Sequence, residues 1–317
     1  MTAIVSRCAL MDGVLAVNKE AGWTSHDVVA KVRHMLGGTK VGHAGTLDPA
    51  ATGLLPLLIG KGTRIAEYLV EWDKEYHAQL RLGETTETLD ATGPVLERQA
   101  TEHLTLGAIL EVVARFRGEI QQVPPMYSAV KIDGVRLYRS ARAGKTIARD
   151  ARTVVIHELD VLDVAGQEVS LRVVCSKGTY IRTLCADIGK ALGVGGHLSA
   201  LVRTRVGPLT VDHALTIDDL SRESHVGNLS AHVLPLDGVL RVFPVVVVDA
   251  RTAERVSHGA PVAWSDVLST TDGRMQQQAG APVRIHDGNG RLLAVGRFSE
   301  PRADRIAIEK VFATDVA

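Results

Sequence analysis

Cysteine and aromatic residues are scarce in this 317-residue chain, and an excess of either charge sign is missing altogether. The three cysteines, Cys8, Cys175 and Cys185, are odd in number and form no CxxC pair, which argues against a disulfide framework and a zinc ribbon. Aromatics make up 4% of the residues, so each Tyr and Trp is more informative than usual, although packing is the default role. Thirty-six basic residues balance 36 acidic ones, so bulk charge offers no argument for a nucleic-acid partner and only its distribution can. No apolar run reaches the roughly 18 residues of a membrane span, and the N-terminus lacks a secretory apolar core. Neither secretion nor a membrane span is expected, and the expected location is the cytoplasm. Cofactor signatures are absent too. Gly60-Lys61 is followed by Gly62, and position 55 is Leu, so a phosphate loop fails twice; GVGGHL lacks dinucleotide-binding spacing; no two of the 12 histidines have HExxH spacing. No metal and no organic cofactor is expected.

What is present is a globular composition, with 45% apolar and 23% charged residues. The length suits a large domain plus a small one. Apolar GVLAVN (13 to 18) predicts a short buried strand. Thr24 and Asp27 have capping-box spacing before a helix that carries Val28, Val29, Val32, Met35 and Leu36 on one face and ends at Gly37-Gly38. Alternation from Tyr76 to Leu82 predicts a half-buried strand. A second helix is expected around Leu106 to Phe116. Strands are expected at Val154-Ile156 and Val169-Cys175, and a third helix over Tyr180 to Leu192. Past Arg241 the pattern reads as all-β, with a hairpin turn at Asp287-Gly288-Asn289-Gly290 and a polar, Gln-rich loop from Ser265 to Gly280. The expected division is therefore 1–241 and 242–317.

Two segments could carry chemistry. In Val41 to Gly53, Pro49 fixes its own φ and biases Asp48 toward an extended backbone, so the loop can present a carboxylate rigidly. On local pattern alone the plainer reading, that Asp48 caps a turn or helix, is the favoured one. Between Lys131 and Arg152, seven basic residues face two acidic ones, a local net of +5 (seven minus two) beside Tyr138 in a neutral chain. Lys131, Arg136, Arg139, Arg142 and Lys145 are candidates for an RNA-binding arm that neutralises phosphates. A solvated surface is the alternative.

The wider pattern points further. GHAGTLDPAATGLLP (42 to 56) closely resembles the catalytic-aspartate motif of the TruB family of pseudouridine synthases. Five other segments resemble that family's motifs in the same order: NKEAGWTS (18 to 25), KEYHAQLRLGETTETLDATG (74 to 93), VPPMYSAVKIDGVRLYRSARAG (123 to 144), CSKGTYIRTLCADIG (175 to 189) and HLSALVRTRVG (197 to 207). One departure is Glu20, where the family usually has Pro. The resemblance covers roughly residues 13 to 240, and the small β domain resembles, more weakly, a PUA RNA-binding module. It implies an α+β pseudouridine synthase fold with a large mixed, mainly antiparallel sheet flanked by helices, an RNA-binding thumb near 124–152, and a C-terminal β-barrel-like domain. It also implies Asp48 as nucleophile, Tyr76 as the ring stacked on the target uracil, and Arg182 as the cation paired with Asp48, which would keep the carboxylate's pKa low. His43, Tyr180 and Leu201 would line the pocket or meet the RNA. The implied partner is the T arm of tRNA, whose uridine at position 55 is isomerised by a monomer needing no obligate protein partner.

Overall fold

The computed structural model describes residues 12–128, 131–132, 135–137, 147–270, 279–299 and 304–313. Its main layer is a ten-stranded sheet built from β1 (Gly13–Lys19), β2 (Val41–His43), β3 (Thr52–Ile59), β4 (Lys74–Leu82), β5 (Gly118–Gln122), β6 (Arg152–Ala165), β7 (Glu168–Cys175), β8 (Gly196–Val206), β9 (Leu209–Thr210) and β10 (Val233–Pro235). The order is β10-β1-β3-β8-β4-β7-β6-β5, with β2 beside β3 and β9 beside β8. Every pairing is antiparallel except β3 with β8. Pro56 sits inside β3, where a missing N–H would break a ladder. It is tolerated because on that edge β8 pairs only Thr52 and Gly53, and β2 pairs Leu57 to Ile59.

Helices cover this sheet. α1 (Ser25–Met35) begins with the expected capping box: the Thr24 side chain accepts from the Asp27 amide, and the Asp27 carboxylate accepts from Thr24 N–H at 2.9 Å. α2 (Ala66–Glu71) follows a 3-10 turn, α3 (Leu106–Ala114) packs on β6, and α4 (Ile181–Ala191) packs on β8. In α4, Ile181, Leu184, Cys185 and Ile188 are buried against Ala78, Leu80, Val169, Leu171 and Val173 of the sheet. Burying one such side chain contributes about 1.5–3 kcal/mol, which is what anchors the helix N-terminus at the sheet face.

The last segment paired to this sheet is β10; a second, six-stranded barrel-like sheet begins at β11 (Val245–Val248). It continues through β12 (Val262–Ala263), β13 (Val267–Thr270), β14 (Pro282–His286), β15 (Leu292–Phe298) and β16 (Arg305–Val311). Two expectations for this region are corrected. The region is not all-β, because Ala250–Ser257 forms a helix capped by Asp249, whose carboxylate accepts from Thr252 N–H at 2.7 Å. Its Thr252, Ala253 and Val256 are buried with helical rather than alternating spacing. The start of the Ser265–Gly280 tract is also ordered, since β13 pairs with β11; residues 271–278 lie outside the described set. The Asp287–Gly290 turn joins β14 to β15 as expected, with Asp287 Oδ1 accepting from Asn289 N–H and Arg291 N–H.

The two sheets are tied together. Tyr68 of α2 donates to Glu309 at 2.6 Å, Lys61 donates to the Phe312 carbonyl at 2.9 Å, and Lys310 pairs with Glu67 at 2.8 Å. Arg284, 7% exposed, pairs with Asp237 at 2.8 Å. Among the described residues no helix is long and apolar enough to cross a membrane.

Candidate active site

The loop from β2 to β3 carries Asp48, and backbone geometry dictates where it sits. Gly53 adopts φ +96°, and a Cβ there would lie 2.3 Å from the Arg203 carbonyl oxygen. Only glycine allows β3 to approach β8 so closely. Arg203 in turn stands opposite Tyr76 of β4. Gly53, Arg203 and Tyr76 are thus side by side on three adjacent strands, with the Asp48 loop arching over them.

Buried polar groups clamp that loop. The Ser25 hydroxyl accepts from Leu47 N–H at 2.9 Å and donates to the Leu47 carbonyl at 3.1 Å. Lys19, fully buried, donates to the carbonyls of Glu20, Trp23 and Pro49 at 2.9, 2.8 and 3.2 Å. Burial lowers the Lys19 amine to about 8, while the nearby Asp48 charge opposes that shift. Arg203, 1% exposed, donates to the carbonyls of Leu54 at 2.7 Å and Gly45 at 3.0 Å. Asp48 is thereby held between Leu47 and Pro49, neither of which can move independently.

Facing it is Arg182, in the first turn of α4. Its Nη2 is 3.1 Å from Asp48 Oδ2 and 2.7 Å from the Tyr127 carbonyl, and its Nη1 is 3.4 Å from both Asp90 Oδ2 and the Thr88 carbonyl. The guanidinium side chain is 7% exposed and that of Asp48 is 44% exposed, so the cation backs a carboxylate that is reached from the cleft but shielded from bulk water by the walls around it. Asp90 is itself fixed by Thr88 and Thr92, just after Leu89, a non-glycine residue at φ +61°. A left-handed conformation costs such a residue about 1–2 kcal/mol, and strain of this kind gathers at functional sites.

The electrostatic expectation for Asp48 is corrected here. Its carboxyl is held above the usual range, because loss of surrounding water and the negative Asp90 outweigh Arg182 and Lys19. Burial also raises the Tyr76 phenol, so the ring keeps its proton at neutral pH. His43, at the end of β2, stacks edge-on against His26 at 5.6 Å, and burial lowers its imidazole below the usual range.

These groups line one open cleft of about 760 Å³. It brings together all six residues singled out for catalysis and binding: His43, Asp48, Tyr76, Tyr180, Arg182 and Leu201. Tyr180, immediately before α4, is positioned by Gln122, which accepts from its N–H at 3.0 Å. Leu201 lies in β8 and packs against two core clusters, one containing Ala78 and Ile181 and the other Val28 and Leu55. The arm residues are not part of this set. Lys131 and Arg136 are paired in a small two-stranded antiparallel sheet, and Arg139, Arg142 and Lys145 lie outside the described residues.

Sequence reasoning missed Lys19, Ser25, His26, Asp90, Ser128 and Arg203. Lys19 and Arg203 carried one usable signal, a cation closing or interrupting an apolar strand pattern. Asp90 and Ser128 lie inside two of the quoted motif segments, but nothing there ties either to Arg182, because only the fold brings those loops together.

A carboxylate at the mouth of a cleft, backed by a buried guanidinium and flanked by a tyrosine ring, is an arrangement suited to nucleophilic or acid–base chemistry. The family model described as "TruB family pseudouridylate synthase (N terminal domain)" matches residues 33–181, and "tRNA pseudouridylate synthase B C-terminal domain" matches residues 182–241. The chain is 46% identical over 290 residues to a protein named tRNA pseudouridine synthase B from Burkholderia mallei (strain NCTC 10247), covering 92% of this chain and 94% of that one. It is also 46% identical over 294 residues to the protein of the same name from Thermobifida fusca (strain YX), covering 90% and 94%. A solved structure titled "Crystal Structure of a Cbf5-Nop10-Gar1 Complex" superposes with TM-score 0.76 at 30% identity, over 96% of this chain and 86% of that one. The fold is that of the pseudouridine synthases, and the chain belongs to the TruB family of pseudouridylate synthases.

Proposed function

We propose that this protein isomerises uridine to pseudouridine in tRNA, at the T-loop uridine at position 55, with Asp48 as the initiating nucleophile. The observation that carries the reading is the Asp48–Arg182 pair at 3.1 Å in a cleft that also holds Tyr76. A uridine inside an RNA loop hides its C1′ and C6, so it is extruded at a cost of a few kcal/mol. Its uracil then lies on the Tyr76 ring, which stacking supports by about 1–3 kcal/mol. Asp48 starts the breakage of N1–C1′; the uracil turns, C5 joins C1′, and the C5 proton is lost as N1 regains one. The reaction is an isomerisation with no net redox change. Tyr76, still protonated, acts through its face and its O–H and not as a resting base. His43, Tyr180 and Leu201 line the entry for the nucleotide.

Residues 1–241 serve as the catalytic unit, and 242–317 as a PUA-like RNA-binding unit working in the cytoplasm within a monomer. The segment near 124–152 serves as the thumb. Replacing Arg139 and Arg142 with Ala is expected to weaken tRNA binding and to flatten the slope of log K against log salt by roughly 1 to 2. An unchanged slope in a filter-binding titration marks the segment as a solvated surface.

A purified sample incubated with an unmodified tRNA transcript should form pseudouridine at one site, read by pseudouridine-specific chemical labelling. Failure to form any overturns the reading. The similarity to the Cbf5 complex favours a second one, a subunit that acts only with partner proteins and a guide RNA. That alternative requires the isolated chain to be inert. A third, a tRNA-binding or folding protein without catalysis, requires binding without any pseudouridine.

A further inference from the structure

Most polar side chains that line the cleft already have protein partners. Arg182 is engaged by Asp48, Asp90 and two carbonyls, and Arg203 by two carbonyls. Lys74 caps the carbonyls of Val70 and Trp72, and Thr179 donates to the Ser176 carbonyl at 2.9 Å. Two buried atoms differ: His43 Nδ1 and Ser128 Oγ have no hydrogen-bond partner among the described residues. Ser128 is 5% exposed, and both side chains line the cleft.

A buried hydroxyl without a partner costs free energy in the empty protein, and such groups are uncommon enough to require a reason. The position of Ser128 supplies one. It follows Tyr127, whose carbonyl takes Arg182 Nη2 at 2.7 Å, and that same nitrogen pairs with Asp48. The backbone just before Ser128 is thus fixed by the same guanidinium that pairs with Asp48. The wall that holds Arg182 in place also presents an unused hydroxyl to the cleft.

We infer that Ser128 is a further substrate-binding residue, whose hydroxyl hydrogen-bonds the polar edge of the extruded uracil. The inference rests on the function proposed above. A uracil stacked on Tyr76 turns its O2, N3–H and O4 edge toward the cleft walls, where those groups lose water and need partners. A serine hydroxyl rotates, so it can donate to a uracil carbonyl or accept from N3–H. Arg182, Arg203, Lys74 and Thr179 are held by protein carbonyls and carboxylates, which leaves Ser128 and His43 as buried groups with an unused hydrogen-bonding atom to offer the base.

The test is Ser128→Ala, with three readouts on the full chain. Removing an unpartnered buried hydroxyl should leave the melting temperature of the free protein unchanged or slightly higher. The kcat/KM on an unmodified tRNA transcript should fall about tenfold. Equilibrium binding to a tRNA that lacks the base at the target position should match wild type, since the lost contact is to the base. Wild-type kcat/KM in the variant overturns the inference, as does a loss accompanied by a lower melting temperature, which marks a structural role. Equal weakening toward the abasic tRNA also overturns it. If wild type itself forms no pseudouridine, the proposed function fails first; if wild type is active and Ser128→Ala equally so, only this inference fails.

Discussion

Asp48→Asn is expected to lower turnover by at least ~10³-fold while leaving the fold intact, because a neutral amide cannot act as the nucleophile. The side chain is 44% exposed, and its neighbours are held by Ser25, Lys19 and Arg203 through backbone atoms that the substitution does not touch. The melting temperature should therefore change little. Affinity for tRNA should be largely kept, since phosphate contacts dominate RNA affinity and Asp48 contributes none. Single-turnover assays beside binding titrations separate the two effects. Residual turnover above about a tenth of wild type would remove Asp48 from the chemistry.

The second large effect concerns Arg182→Met. Arg182 opposes the rise of the Asp48 carboxyl, and burial and Asp90 drive that rise. With the cation gone, the Asp48 pKa climbs further. The ionised form is the active one and is lost as pH falls through its pKa, so the acid limb of the kcat/KM profile should move to higher pH than in wild type. Near neutral pH the expected loss is about 10²- to 10³-fold, combining protonation of the nucleophile with its poorer alignment. Arg182→Met also leaves Asp90 and the carbonyls of Thr88 and Tyr127 without their donor, so stability should fall by about 3–5 kcal/mol. Arg182→Lys keeps the charge but not the fork that reaches four acceptors. It should hold the acid limb close to wild type while still losing activity. An acid limb that stays in place in Arg182→Met would show that Asp48 is not the titrating group.

Much of the large domain is legible in the sequence. The capping box at Thr24 and Asp27, the alternation along β4 and the apolar stripe of α4 are local patterns, and each formed as read. The order of six motifs around Asp48 likewise picked out residues that prove to share one cleft. The helix Ala250–Ser257 was missed because its polar residues, ARTAERVS, show no long apolar stripe; its stability comes from the Asp249 cap and from three buried positions.

Local periodicity and capping determined most of the elements of the large domain, because they act over short separations, while the order of motifs along the whole domain singled out Asp48. The tertiary structure decided the environment of that carboxylate. Asp90 reaches Arg182 across 92 residues, Arg203 reaches Gly45 across 158, and Ser25 reaches Leu47 across 22. Whether Arg182 holds the Asp48 pKa low or burial drives it up depends on how much water these contacts exclude. That exclusion is a property of the packed cleft, which no linear pattern encodes.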